Sequence, residues 1–285
     1  MDDIDDGSGP HPDISLLIER LTLERIDRDI FRSPHPGDGE GRLFGGQVAA
    51  QALRAAATTV EAAHEVNSLH CYFMRPGRFG SPVTFLVDRI RDGSSFSTRR
   101  VVAVQEGEAI LNLDASFHAE EEGDEVVVPG PVGRVPAPDE VEREDPEDQP
   151  TQRRPFDRRE LDPPADGSTR TFWIRARGDL PEDPVVHACV LTYLSDSGPV
   201  SAARRSLGGG GRWGWEGLDL MTASLDHTMW FHRPVRADQW LLYDLRAVGV
   251  GRARGLTHGS LWTTSGDLAV SVAQESLLRR RRPRG

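Results

Sequence analysis

Phe73-Met74-Arg75-Pro76 and Phe231-His232-Arg233-Pro234 are the two stretches on which the reading of this chain turns. They align at an offset of 158 (233 − 75), and the agreement continues beyond the tetrapeptide. At that offset Val83-Thr84-Phe85-Leu86 falls on Leu241-Leu242-Tyr243-Asp244, and Gly93 falls on Gly251. One inserted residue later, Gly107 meets Gly266 and Leu113 meets Val272. Self-similarity over such a span marks a duplicated fold unit.

Each copy opens with a helical run. In the first, Gly45-Gly46-Gln47 leads into the alanine-rich stretch Val48 to Ala57; alanine is the best helix former, and its small side chain lets a sheet approach closely. In the second, Asp183 is an N-cap acid and Pro184 occupies the first helical position. Val185 to Leu194 is then apolar nearly all round, which predicts burial on most sides. Strand candidates follow at 222–234, 239–249, 253–264 and 267–278, divided by Gly, Asp and Pro turn signals. The expected fold class is α+β, each half an antiparallel sheet wrapped around a central helix.

The expected domains are residues 13–119 and 169–279. Between them, 120–168 is rich in acids, arginines and prolines and reads as a linker or surface-hugging excursion without sheet or long helix. Residues 1–12 and the basic tail 280–285 read as disordered ends.

Composition narrows the chemistry. The chain of 285 residues is 37% hydrophobic and 28% charged, with no run approaching the ~20 apolar residues of a membrane helix. A net charge of −11 argues against a nucleic-acid or anionic-membrane surface. All 34 basic residues are arginine, so Schiff-base chemistry and a P-loop lysine are excluded. Cys71 and Cys189 lie far apart and read as small core hydrophobes. With an acidic N-terminus that does not resemble a secretory signal, the expected compartment is the cytoplasm. Gly209, Gly211 and Gly214 fit GxGxxG without its strand–turn–helix context; no GxSxG occurs, and the histidines lack metal-ligand spacing. No metal and no cofactor is expected.

Comparing the copies singles out two polar side chains. In the last strand, Leu268, Val270, Val272, Gln274, Ser276 and Leu278 share a face, and the position matching Gln274 in the first copy is Ala115. Asp226 likewise corresponds to Ser68. A carboxylate on a strand entering an apolar core is costly unless hydrogen-bonded or useful. From spacing alone, a turn cap for Asp226 and a satisfied core amide for Gln274 are the first readings.

The sequence resembles the TesB-type acyl-CoA thioesterase II family along nearly all of both halves. The resemblance rests on Arg42-Leu43-Phe44-Gly45-Gly46-Gln47-Val48, Leu69 to Gly77, Arg91 to Arg100 and Ala115-Ser116-Phe117 in the first copy. In the second it rests on Tyr193-Leu194-Ser195-Asp196, Asp226 to Pro234, Trp240 to Tyr243, Arg254-Gly255 and Ala273-Gln274-Glu275. It implies a tandem (double) hot-dog fold and hydrolysis of acyl-CoA by direct water attack. Family members use an aspartate, a serine or threonine, and a glutamine around that water. The aspartate is assigned to Asp226 as general base, and the glutamine to Gln274. Backbone N–H groups at a helix start would stabilise the oxyanion, with Gly46 and Gln47 as candidates. The hydroxyl is expected at or beside Ala247, where none exists; Thr228, two residues from Asp226, is the candidate substitute.

The expected partner is acyl-CoA, with no nucleic acid or membrane and with further assembly to a homo-oligomer, dimer or tetramer. Arg153, Arg154, Arg158 and Arg159 are either a coenzyme A phosphate cluster or a solvated linker face. A catalytically weakened acyl-CoA-binding protein is the alternative, on the strength of Ala247. Hydration of 2-enoyl-CoA would need an Asp–His pair near a helix start in a different motif, which the sequence lacks.

Overall fold

The computed structural model describes residues 12–34, 41–126, 129–144, 151–163, 167, 169–209 and 216–281. Most of the terminal segments and of the GxGxxG stretch, including Gly211 and Gly214, fall outside that set.

The first half packs α2 (Gly45–Ala57) against β3 (His64–Phe73), β4 (Thr84–Asp92), β5 (Phe96–Gln105) and β6 (Glu108–Ala119). Ahead of it come α1 (Pro12–Leu21), β1 (Glu24–Asp27) and β2 (Ile30–Arg32). The second half packs α3 (Pro184–Ser195) on α2 and β3, and its sheet strands are β8 (Thr169–Ala176), β10 (Asp226–Phe231), β11 (Leu241–Gly251), β12 (Arg254–Thr263) and β13 (Leu268–Arg280). It adds β7 (Phe156–Glu160), α4 (Pro199–Arg205) and β9 (Leu220–Ser224). Helix α3 starts as its sequence predicts: Pro184 is at the first position, and the Asp183 carboxylate accepts from the Val185 N–H at 2.9 Å.

The described strands join one antiparallel sheet in the order β1-β2-β4-β5-β6-β3-β10-β13-β12-β11-β8-β7, with β9 pairing β13 off that path. The copies meet where β3 pairs β10, with His70 opposite Thr228. Those two residues are themselves 158 apart, so the pseudo-twofold axis passes between them.

The duplication holds pair by pair. Val87↔Val101 recurs as Leu245↔Gly259, and Val101↔Leu113 recurs as Gly259↔Val272. The turns joining β5 to β6 and β12 to β13 place Gly107 and Gly266 at φ of 81° and 90°, where a Cβ is unfavourable. Even an irregularity is copied. β3 has an extra residue between Val66↔Phe117 and Ser68↔Ser116. In the second half Ser224 pairs with Ser276 while Thr228 pairs with Ala273, which again leaves one residue extra. This is a β-bulge, a device that re-aims side chains on either side of it.

The segment expected to be a linker is more structured than its composition suggests. Phe156–Glu160 is an edge strand pairing with β8. Upstream, Val132, Val135 and Val141 pack on Trp173, Leu242 and Trp262, and the Trp173 indole donates to the Pro136 carbonyl at 2.9 Å. The strand segment Phe156-Asp157-Arg158-Arg159-Glu160 itself contains no proline.

Strand β7 also carries a buried charge network. Glu160 accepts from Arg158 at 2.8 Å and Arg170 at 2.6 Å, both arginine side chains being 1% exposed. Burial opposes the carboxylate's charge, but the two guanidinium groups more than offset it and leave its pKa at about 2. Buried Arg158 is therefore not a coenzyme A phosphate ligand, and Arg159 lies over the Trp240 ring and donates to the Val141 carbonyl. Removing one partner of a buried pair strands the other charge, so Glu160→Gln is expected to cost about 3 kcal/mol. A lower urea midpoint with an unchanged slope would register that loss.

Candidate active site

The two central helices run antiparallel side by side: the start of α2 lies beside the end of α3, and Arg54 in the last turn of α2 meets Asp183 at the start of α3 at 3.1 Å. The approach is close because Gly46 has no side chain, since a Cβ there would lie 2.4 Å from the Tyr193 carbonyl oxygen. Asp196 caps the C-terminal end of α3 and reaches across, so that its Oδ2 accepts from the Gly46 N–H at 2.9 Å. A carboxylate is unfavourable at a helix C-terminus and favourable at an N-terminus. Asp196 is tolerated at the end of its own helix because the other helix begins beside it.

Three further side chains converge there. The Ser224 hydroxyl donates to Asp196 Oδ1 at 3.3 Å, and Gln274 Nε2 donates to Ser224 Oγ at 2.9 Å. The Gln274 carbonyl lies 2.7 Å from His227 Nδ1, whose Nε2 is 2.8 Å from Ser195 Oγ. Gln274 and His227 are fully buried, whereas Asp196 retains some exposure. Burial pushes the Asp196 carboxyl up to about 6, held from going higher by Gly46, Ser224, Gln274 and then Arg153. Burial also drives the His227 imidazole down to about 4, so it is neutral at physiological pH.

Gln274 lies on the buried face that its alternation predicts, and Ala115 packs at the matching place in the first half. Asp226 and Thr228 do not join it. Their strand turns His227 and Met229 inward, while Asp226 stands opposite Tyr72 with its carboxylate accepting from the Glu275 N–H at 2.7 Å. Thr228 faces His70, 3.4 Å from its Nδ1. Burial, opposed by the Glu275 N–H bond, raises the Asp226 pKa without bringing it near Gln274. Ala247 lies on β11 opposite Thr257. The hydroxyl beside Gln274 belongs to Ser224, which the bulge at Leu225 turns onto Gln274's face. At the helix start, the Gly46 N–H is given to Asp196 and the Gln47 N–H to the Phe44 carbonyl at 3.1 Å.

Asp196 and Ser224 are the residues that sequence reasoning left out. An acid closing a largely apolar helix, against the helix dipole, is the signal that points to Asp196.

Comparison with known proteins agrees with this frame. Residues 33–118 match the family model for the acyl-CoA thioesterase N-terminal domain, and residues 131–278 match that for the C-terminal domain. The chain belongs to the acyl-CoA thioesterase family. Human acyl-coenzyme A thioesterase 8 is 38% identical over 96% of this chain and 92% of its own length. The structure of acyl-CoA thioesterase II TesB2 from Mycobacterium marinum superposes with a TM-score of 0.79 at 39% identity, covering 94% of this chain and all of that one. A hot-dog-fold protein of unknown function from Alicyclobacillus acidocaldarius superposes at 0.77 with 20% identity, covering 94% of this chain and 99% of that one, a likeness of fold alone. The architecture of this thioesterase-family chain is thus a double hot-dog.

Asp196 has a measurable cost. Its folded pKa of about 6 lies above the ordinary 3.8, so the folded chain holds the proton more tightly than the unfolded one. The associated stability is intact below pH 3.8 and is lost as pH rises through about 6. Asp196→Asn is therefore expected to raise Tm by a few degrees near pH 8 and to leave it nearly unchanged near pH 4. Thermal melts at both pH values check this.

Proposed function

We propose that this chain hydrolyses acyl-CoA to a free acid and coenzyme A, with Asp196, Ser224 and Gln274 activating the water. The observation that carries the assignment is the convergence of a raised-pKa carboxylate, a hydroxyl and an oriented amide at the start of α2. A base with a pKa of about 6 is ionised at neutral pH yet still basic enough to take a proton from water in the transition state.

In this reading the Asp196 carboxylate removes a proton from a water as its oxygen attacks the thioester carbonyl carbon. Ser224 and Gln274 fix the carboxylate and the water, and the positive end of the α2 dipole stabilises the developing oxyanion. The intermediate collapses by breaking the C–S bond. The thiolate of coenzyme A leaves and takes up the proton that Asp196 holds. No covalent enzyme intermediate forms.

Asp226 and Thr228 have no part in this assignment, and Gly46 serves by anchoring Asp196. Ser224 supplies the hydroxyl whose apparent loss at Ala247 favoured a binding-only protein, so that alternative loses its support. The activity is assigned to the cytoplasm, consistent with Cys71 and Cys189 being buried free thiols; among the described residues no helix is long and apolar enough to cross a membrane. Self-association to a dimer or tetramer is part of the proposal. Tyr72 at 60%, Met74 at 50% and Trp230 at 40% exposure lie at or beside the sheet junction and suit a contact with another copy.

Thiol release from a series of acyl-CoAs tests the assignment. Gln274→Ala and Asp196→Asn are each expected to lower kcat by about 10²-fold or more, and Asp226→Asn to leave it close to wild type. The wild-type kcat/KM is expected to fall with acid through about pH 6 as Asp196 takes up its proton. An inactive Asp226→Asn beside an active Asp196→Asn would return the base to Asp226. Absence of thiol release with every acyl-CoA would leave a binding protein.

A further inference from the structure

The buried polar chain at the site has a direction that can be read from its charged end. An ionised Asp196 only accepts hydrogen bonds, so the Ser224 proton is directed to Oδ1. Ser224, having given its proton, meets Gln274 only as an acceptor, and the group facing it is the amide NH₂ at 2.9 Å. The Gln274 carbonyl then faces His227 Nδ1 at 2.7 Å, which requires the ring proton on Nδ1. A neutral imidazole has one N–H, so Nε2 is a lone pair, and the Ser195 hydroxyl at 2.8 Å donates to it. The Ser195 hydroxyl thereby gives up its other acceptors, the Thr192 carbonyl at 3.0 Å and the Met229 sulfur at 3.3 Å. Each link follows from the one before it.

This wiring matters because a glutamine amide is nearly symmetric in shape. Turned over, Gln274 would present its carbonyl to Ser224 and towards the Asp196 carboxylate, where two acceptors repel. Among the described residues, the Nδ1–H of His227 is the donor that holds the carbonyl end on the far side. Its ring is fully buried on the inward face of β10, between Gln274 and the C-terminal turn of α3. We propose that His227 is a positioning residue: it touches no reacting atom but locks Gln274 with its NH₂ group towards Ser224 and Asp196. The inference rests on the assignment of Asp196, Ser224 and Gln274 above and extends it to the group that orients one of them.

Two substitutions separate positioning from simple packing. Phenylalanine fills the site of the ring without a donor, whereas asparagine is smaller and keeps an N–H near the Nδ1 position. His227→Phe is expected to lower kcat by about 10- to 100-fold, the range for removing an outer hydrogen-bond partner, with KM unchanged. His227→Asn is expected to recover most of that kcat while melting no higher than the Phe variant. A packing role would give the opposite order, with Phe the better enzyme. In a Gln274→Ala background, His227→Phe should have no further effect on kcat, because the amide it orients is gone. A wild-type kcat in His227→Phe, no advantage of Asn over Phe, or a further loss in the Gln274→Ala background would each overturn the proposal. A wild-type kcat in Gln274→Ala alone would instead sink the site assignment on which it stands. If His227→Phe does not fold, Ser195→Ala frees Nε2 to take the proton; a lowered kcat at constant KM is expected, and an unchanged kcat overturns the inference.

Discussion

The hydrogen bond from the Gly46 N–H to the Asp196 carboxylate is the constraint on which the rest of the molecule depends. It joins the beginning of one central helix to the end of the other, and it forms only because Gly46 lets the Tyr193 carbonyl come close. Within it, the acid is disfavoured by its own helix and favoured by its neighbour's. The two halves are thereby docked in one register, which the sheet ladder between β3 and β10 repeats on the other side of the helices. The carboxylate and the backbone donor come from different copies of the repeat, although Ser224 and Gln274 lie with Asp196 in the second.

Much of this architecture is legible in the sequence because duplication is a statement about register. A constant offset means that each ladder in one half predicts a ladder in the other, and Val87↔Val101 and Leu245↔Gly259 show it. Turn glycines reinforce it, since the φ at Gly107 and Gly266 demands the same residue type twice. Legibility fails where composition is averaged over too wide a window. Prolines from Pro129 to Pro155 hide a proline-free strand at Phe156–Glu160 and the valines that strap the outer face around Trp173.

The site is half legible for a different reason. Gln274 stands out because strict alternation runs the length of β13 and the other copy has alanine there. Alternation misleads around Asp226, where the strand contains an extra residue and the parity of the side chains changes. Ser224 and His227 both face inward although three positions separate them, and Asp226, between them, faces out. The same bulge exists at Asn67 in the first half, but it leaves no mark in either sequence that composition or periodicity could detect. The first copy does hold the answer in another form: Leu69, Cys71 and Phe73 are its apolar parity, and their images are His227, Met229 and Phe231.

The shared bulge also shows where the two copies differ. Carried back across the pseudo-twofold axis, Ser224 becomes Val66, Gln274 becomes Ala115, and Asp196, the C-cap of its helix, becomes Thr58. Two identical chains related by a dyad would be obliged to repeat every residue, and therefore to carry both an acid and its opposite number. Covalent fusion releases that obligation. One end of the helix pair concentrates the buried polar network, while the other carries the exposed Thr58 and the Arg54–Asp183 ion pair at its surface. On the proposed site, the stoichiometry that follows is one reaction centre per polypeptide.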